Sequence, residues 1–391
     1  MYLKSLSFQN FRNYRKKVFD FSSNTTLLVG KNGVGKTNIL EGVYLLATGK
    51  SFRATKSNQM ILYGEELARI TGGIHPLNKR EGYELELLKV RNLKGYSPLT
   101  AIDSSEDSLE VMLTVGEVQG QKVAGSRYLV NGTAKRKMDF VGKLRCVLFR
   151  PEDIDLVLGT PANRREYLNS VLEQTDREYR RCLLAYSKGG GQRNKLLIRI
   201  REGQTDRSQL LFWNKLLIKN GEVIFEKRRK YIEFVNERLK SKESALQLYY
   251  DKSVMSEKRL EEYADKEVWA GKTLVGPHRD DFMFIFQREG RLEKDLAIYG
   301  SRGEQRMAVF QVKLSELEFM AKREGSELEL SKFRNLEDRP ILLLDDVFSE
   351  LDREHRREVF KLLDKQQTII STADESLMPK RYLKKVDIVR L

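Results

Sequence analysis

Gly30-Lys31-Asn32-Gly33-Val34-Gly35-Lys36-Thr37 is the stretch on which the fold turns. It has the spacing G-x-x-x-x-G-K-[ST], in which glycines let successive backbone N–H groups wrap around phosphate oxygens. Its flanks suit that task. Thr25-Thr26-Leu27-Leu28-Val29 reads as a short buried strand, and residues 37–47 place Ile39, Leu40, Val43, Leu46 and Ala47 at helical spacing. Strand, glycine turn and helix N-terminus together favour phosphate, because the helix dipole adds positive charge where the N–H groups converge. Lys36 is then expected to reach the β- and γ-phosphates of ATP, and the Thr37 hydroxyl to ligate Mg²⁺. The glycines do not fall as G-x-G-x-x-G, so the dinucleotide fingerprint is absent.

A metal held this way needs a second carboxylate. Ile341-Leu342-Leu343-Leu344-Asp345-Asp346 supplies it at the end of a run apolar along its length, as strands buried on both faces are. Asp345 is the expected Mg²⁺ partner through water, and Asp346 is placed to orient or deprotonate the attacking water. Ser301-Arg302-Gly303-Glu304-Gln305-Arg306 precedes that strand, at the start of a predicted long helix over 306–323. Ser301, Gly303, Glu304 and Gln305 offer a hydroxyl, backbone donors and a helix dipole to a phosphate. Alone, the same pattern is that of an ordinary helix N-cap.

The rest of the chain alternates between two textures. Tyr2 to Phe21 is hairpin-like, and from about 66 to 132 the period is two: Tyr83, Leu85 and Leu87, then Leu109, Val111, Leu113 and Val115, fall at every second position. Asn131-Gly132 supplies a turn signal. These predict an antiparallel β layer, with the polar segment 94–108 a loop at its edge. Residues 161–264 show no strand alternation, carry helical spacing such as Leu168, Val171 and Leu172, and are interrupted by Gly189-Gly190-Gly191. They predict an inserted helical hairpin or small bundle with a hinge or turn at the triple glycine. Strands resume near Asp281–Phe286, and a polar loop over 324–339 leads to Ile341. The expected fold is α/β, a P-loop ATPase head with an antiparallel β layer and an inserted helical arm. The boundaries are 1–160, 161–264 and 265–391.

In 391 residues, 40% are apolar and 32% charged, enough for a sizeable core under a very soluble surface. Lys and Arg number 71 against 56 Asp and Glu, a formal net charge of +15, and the excess is not evenly spread. Residues 1–60 hold 10 basic and 2 acidic side chains, and residues 161–260 hold 23 and 13, so the remainder is −3. Two basic regions on a near-neutral body suggest a polyanion partner, DNA above all. Arg164-Arg165 and Lys227-Arg228-Arg229-Lys230 are candidate phosphate contacts, with a solvated helix face the competing reading for each. Cys146 and Cys182 cannot build a disulfide framework, and three histidines exclude a multi-histidine metal site. No run approaches ~18 uninterrupted apolar residues, and the N-terminus lacks a signal-peptide core, so a cytoplasmic protein without membrane spans is expected.

Motif by motif the chain resembles the RecF family, bacterial recombinational-repair ATPases with an ABC/SMC-type head and a short helical arm. The resemblance rests on Asn10-Phe11-Arg12-Asn13-Tyr14, the P-loop with Asn38 after it, and Gly49-Lys50-Ser51-Phe52-Arg53. It continues through Phe149-Arg150-Pro151-Glu152-Asp153, Arg164-Arg165-Glu166-Tyr167-Leu168 and Gln192-Arg193-Asn194. Gly276-Pro277-His278-Arg279-Asp280-Asp281 and Leu344-Asp345-Asp346-Val347-Phe348-Ser349-Glu350-Leu351-Asp352 complete it. It implies that the 301–305 signature caps the γ-phosphate held by a partner subunit's P-loop, and that Ser349–Asp352 is the D-loop of that interface. It further implies an ATP-dependent homodimer on duplex DNA and single-strand/double-strand junctions. Weak DNA-stimulated hydrolysis, and RecA loading at gaps with RecR and RecO, belong to the same expectation.

Arg302 departs from the polar residue usual in that family's signature, and the triple glycine stands where a regular helix is expected. After the strand Thr368-Ile369-Ile370 stands Ser371-Thr372-Ala373-Asp374 rather than the switch histidine of transporter subunits. A tether of the Rad50 kind needs far longer coiled-coil arms than about 100 residues allow. An ATPase of a defence or other DNA-processing complex is the alternative, though a nuclease domain in the same chain has no room after residue 352.

Overall fold

The computed structural model describes residues 2–75, 107–286, 294–321, 339–349, 353–363 and 365–391. The chain packs as two compact units, Met1–Pro151 with Met320–Leu391, and Glu152–Phe319. The second unit therefore begins before residue 161 and runs past the boundary expected at 264.

In the first unit the apolar runs become a five-stranded parallel sheet. Its order is Cys146–Phe149, Ile341–Asp345, Thr368–Thr372, Thr25–Val29 and Asp387–Arg390. Ile341–Asp345 and Thr368–Thr372 are buried at every position, which is why neither shows alternation. The register sets Asp345 beside Ser371 and Ser371 beside Leu28. The acidic strand end and the P-loop thus leave the sheet at the same edge, its carboxyl edge, where open parallel sheets bind ligands.

The antiparallel layer is six-stranded, in the order Tyr14–Asp20, Tyr2–Phe11, Leu67–His75, Asp107–Thr114, Ser126–Val130, Thr133–Lys135. Cross-strand register aligns Phe8, Ile70, Val111 and Tyr128 in one buried row. Asn131 and Gly132 take φ of 49° and 72°, the paired positive values of a tight hairpin turn. Two glycines set how closely the helix Lys36–Thr48 lies on this layer. A Cβ on Gly72 would stand 2.7 Å from Leu46 Cδ1, and one on Gly42 would overlap the Phe8 ring. Tyr83, Leu85 and Leu87, and nearly all of the loops 94–108 and 324–339, lie outside the described residues.

The second unit holds the helices Pro161–Thr175, Arg177–Arg201 and Leu210–Ser241. Two expectations are corrected here. Leu246–Asp251 is a strand, antiparallel to Asp281–Phe286; buried Leu246 and Leu248 alternate with exposed Gln247 and Tyr249, too short a signal beside a long helix. Gly189-Gly190-Gly191 lies inside the unbroken helix Arg177–Arg201. The reversal comes after it, around Gly203 at φ 71°. A Cβ on Gly189 would lie 2.6 Å from Leu216 Cδ2, so this glycine admits the facing helix. Gly190 and Gly191 have no such reason, since a Cβ on either would meet nothing within 4 Å. Each nevertheless weakens the helix by about 0.5–1 kcal/mol relative to alanine. Among the described residues no helix is long and apolar enough to cross a membrane.

Candidate nucleotide site

The loop between Thr25–Val29 and Lys36–Thr48 needs its glycines for two separate reasons. Gly33 and Gly35 take φ of 85° and 116°, where side chains are strained. At Gly35 space fails as well, because a Cβ would lie 2.5 Å from Tyr14 Oη and 2.9 Å from Asn13 Nδ2. Asn13 steadies the loop: its Nδ2 donates to Val34 O at 3.0 Å, and Asn38 Nδ2 donates to Asn13 Oδ1 at 2.8 Å. Lys31, Asn32 and Gly33 are exposed.

Lys36 is buried at the helix start, and its Nζ donates to the carbonyls of Gly30 at 2.6 Å and Lys31 at 3.0 Å. The ammonium is thus folded over its own loop on neutral acceptors, which a phosphate outcompetes because charge-assisted hydrogen bonds are the stronger ones. Thr37 Oγ1 donates to Asp345 Oδ1 at 3.0 Å, and Ser371 Oγ donates to the same oxygen at 2.6 Å. The two motifs that sequence reading paired are therefore in contact. One hydroxyl and one carboxylate suit Mg²⁺, which keeps several waters and takes further oxygens from substrate phosphates. Among the described residues no group of three or more His, Cys, Asp or Glu could hold a metal by itself.

Asp346 follows at φ 51°, a conformation that costs a non-glycine residue about 1–3 kcal/mol and persists where its surroundings impose it. Its N–H is shared between Ser371 Oγ at 3.1 Å and Ser371 O at 3.2 Å. Ser371 thus fixes both acidic residues, a role that sequence reading missed; the cue was a serine at the end of the neighbouring apolar strand. Glu41 was missed too. It is wholly buried in the P-loop helix, where Arg12 Nε and Nη2 grip it at 2.8 and 2.6 Å and Ser51 Oγ also donates to it. Arg53 Nη1 reaches Asn38 Oδ1 at 2.9 Å. A buried carboxylate survives only with such compensation, and its partners tie the segments 10–14 and 49–53 to the loop. A glutamate amid Ile39-Leu40 and Val43 was the available signal.

In the second unit, Ser301 and Glu304 form a reciprocal cap on the helix Arg302–Ala321. The Ser301 N–H and Oγ donate to Glu304 Oε2 at 2.8 and 2.9 Å, and the Glu304 N–H donates back to Ser301 Oγ at 3.3 Å. Buried Gln305 donates its amide to Leu296 O and Gly300 O. Around Gly303 there is open space. Of the expected D-loop, Glu350, Leu351 and Asp352 lie outside the described residues.

The basic clusters are corrected most. Arg164 is buried and bidentate to Asp281, at 2.6 and 2.9 Å, with Nη1 on Gly159 O. Arg228 is 2% exposed and serves Asp280 Oδ2, Tyr179 Oη, Pro277 O and Asn169 Oδ1. Neither presents its guanidinium to solvent. Helical period is the reason, since Arg228 shares the buried face of Ile224, Tyr231, Ile232 and Val235. Lys227 pairs with Asp176 at 2.6 Å and Arg229 with Glu233 at 2.6 Å, while Lys230 is exposed. Arg165 donates to the Asp280 carbonyl at 2.9 Å. Arg228→Met is accordingly expected to destabilise the protein by about 3–5 kcal/mol, because Asp280 is left buried without its counter-charge. Lys230→Met should stay within about 0.5 kcal/mol of wild type. Denaturant melts of the two variants check the contrast; equal midpoints would return Arg228 to the surface.

The RecF/RecN/SMC N terminal domain family matches residues 2–389. The chain is 31% identical to the DNA replication and repair protein RecF of Ligilactobacillus salivarius (strain UCC118), over 100% of this chain and 96% of that protein. It is 33% identical to the RecF of Roseiflexus castenholzii (strain DSM 13941 / HLO8), covering 95% and 93%. A solved structure of the recombination mediator protein RecF with ATP, in the RecFOR pathway, superposes with a TM-score of 0.78 at 27% identity, covering 97% of this chain and 93% of that one. The P-loop sheet edge and these full-length matches agree, and the chain belongs to the RecF family of ABC/SMC-type ATPases.

Proposed function

We propose that this protein is an ATP-dependent DNA-binding protein of replication and recombinational repair. It closes as a homodimer on DNA when ATP is bound, promotes RecA loading at gaps with RecR and RecO, and leaves on hydrolysis. Its workplace is the cytoplasm. The observation that carries the reading is the Thr37–Asp345–Ser371 cluster at the mouth of the P-loop. The relatives' role in replication and repair supports the DNA part.

Lys36 and the N–H groups of the Gly30–Thr37 loop, with Asn38 beside it, hold the β- and γ-phosphates. Thr37 and Asp345 would hold Mg²⁺, which would supply positive charge to the phosphates. Asp346 takes the proton of the attacking water, and an aspartate, shorter than glutamate, accounts for weak hydrolysis. The signature residues of one subunit, Ser301, Gly303, Glu304 and Gln305, close on the γ-phosphate bound by the other. For that, the Glu304 carboxylate releases Ser301, because it occupies the helix N-terminus that the phosphate requires.

Ser301→Arg is expected to block hydrolysis at least 100-fold while the single chain still binds ATP. Mixed with Lys36→Ala protein, it should regain part of wild-type turnover, because each mixed dimer holds one intact composite site. Loss of ATP affinity in the Ser301→Arg monomer would place the signature in cis and end the composite-site reading.

With Arg164 and Arg228 committed inside the fold, and Arg165 turned to the Asp280 carbonyl, phosphate contacts fall to Lys227, Arg229 and Lys230. Exposed Arg15, Lys16 and Lys17 of the N-terminal hairpin join them. Six such contacts predict an affinity falling about 1,000-fold between roughly 50 and 200 mM salt, with little sequence preference. Two subunits on one duplex make ATP strengthen the binding by avidity. A flat salt dependence in a filter-binding titration would rule out this backbone-led mode.

A further inference from the structure

A cavity of about 310 Å³ opens in the second unit among the three long helices and the segment around Pro277. Leu183, Leu217 and Ile224 give it an apolar wall, and Gly190 and Gly191 border it without side chains. The two helix-weakening glycines therefore keep this space empty. No Asp or Glu lines it.

The polar wall is made of donors. Asn169 has its Oδ1 taken by Tyr179 Oη and Arg228 Nη2, and Asn194 has its Oδ1 taken by the N–H and Oγ1 of Thr273. Both amides are left with their NH₂ groups. Arg165 spends one N–H on the Asp280 carbonyl, while the neighbouring carboxylates are held by Arg228 and Arg164. Its guanidinium keeps further donors and forms no direct salt bridge among the described residues, although Asp280 and Asp281 lie near enough to favour its charge. His278 adds no charge. Tyr186 Oη lies 2.8 Å from its Nδ1, Nε2–H donates to Thr273 O at 3.0 Å, and burial pushes the ring's pKa down.

Such a cavity calls for an anion and an apolar group on one small body. Its volume is at the low end for ligand pockets, suited to a single anchor rather than a whole cofactor. A free amino acid brings an ammonium for which no acceptor charge is present. A duplex phosphate brings nothing for the apolar wall. A chain's last residue carries carboxylate and side chain on the same Cα, and capture of a C-terminal carboxylate is an established recognition mode. We propose that this cavity docks the C-terminal residue of a partner polypeptide, its carboxylate on Arg165 and its apolar side chain against Leu183, Leu217 and Ile224.

The test uses full-length protein and saturation-transfer NMR with three probes: N-acetyl-Gly-Gly-Gly-Leu acid, the same peptide as its C-terminal amide, and N-acetylleucine. The acid peptide is expected to bind, with saturation strongest on the leucine methyls and an affinity at least 10-fold above the amide. Gly190→Leu fills the cavity and should remove binding without lowering the melting temperature. Arg165→Gln should weaken the acid at least 10-fold and leave the amide unchanged. Failure of the acid peptide to bind, equal binding of acid and amide, or full binding by both variants overturns the proposal. N-acetylleucine binding as tightly as the tetrapeptide overturns the polypeptide source, since the cavity would then take small carboxylic acids.

Discussion

Lys36→Ala protein is expected to bind ATP about 100-fold more weakly than wild type, since charge-assisted hydrogen bonds contribute about 1.5–3 kcal/mol each. It should also remain monomeric in ATP. The loss is local. Among the described residues the ammonium bonds only to the carbonyls of Gly30 and Lys31, beside exposed loop residues where water can replace it. The fold should therefore persist while the phosphate loses its cation. A filter assay with labelled ATP reads the effect, and unchanged affinity would remove the phosphate site from this loop.

Asp346→Asn should leave ATP and Mg²⁺ bound and slow hydrolysis by about 100-fold or more, the scale of a lost general base. The substitution is mild for the backbone, because asparagine is among the residues that tolerate φ of 51°. The N–H that Ser371 receives is unchanged. Thr37 and Asp345 still converge for the metal. Full turnover in a phosphate-release assay would mean that the base lies elsewhere.

What the sequence made legible was whatever short spacing encodes. The strand, glycine loop and helix around Lys36 are found where their residues predict, and so is the apolar strand ending at Asp345. Their contact followed from chemistry, as Thr37 and Asp345 need one cation. What stayed hidden depends on facing elements. Gly189 looks like a hinge until Leu216 is set against it. The Lys227–Lys230 run looks like a block of charge until Asp280 is found beside Arg228. Glu41 reads as one polar residue in a helix, and only the return of the chain at Arg12 and Ser51 explains its burial. Local pattern fixes an element's type, whereas which neighbour neutralises a side chain is a property of the tertiary fold.

Sedimentation of the Asp346→Asn protein on a gapped duplex, with and without ATP and Mg²⁺, decides whether ATP closes two chains on one DNA. Slowed hydrolysis keeps the complex together longer in this variant, so its stoichiometry can be read. Two chains on each DNA in ATP and Mg²⁺, and single, weakly bound chains without them, is the predicted result. One chain on each DNA in both conditions, with ATP bound, would contradict it.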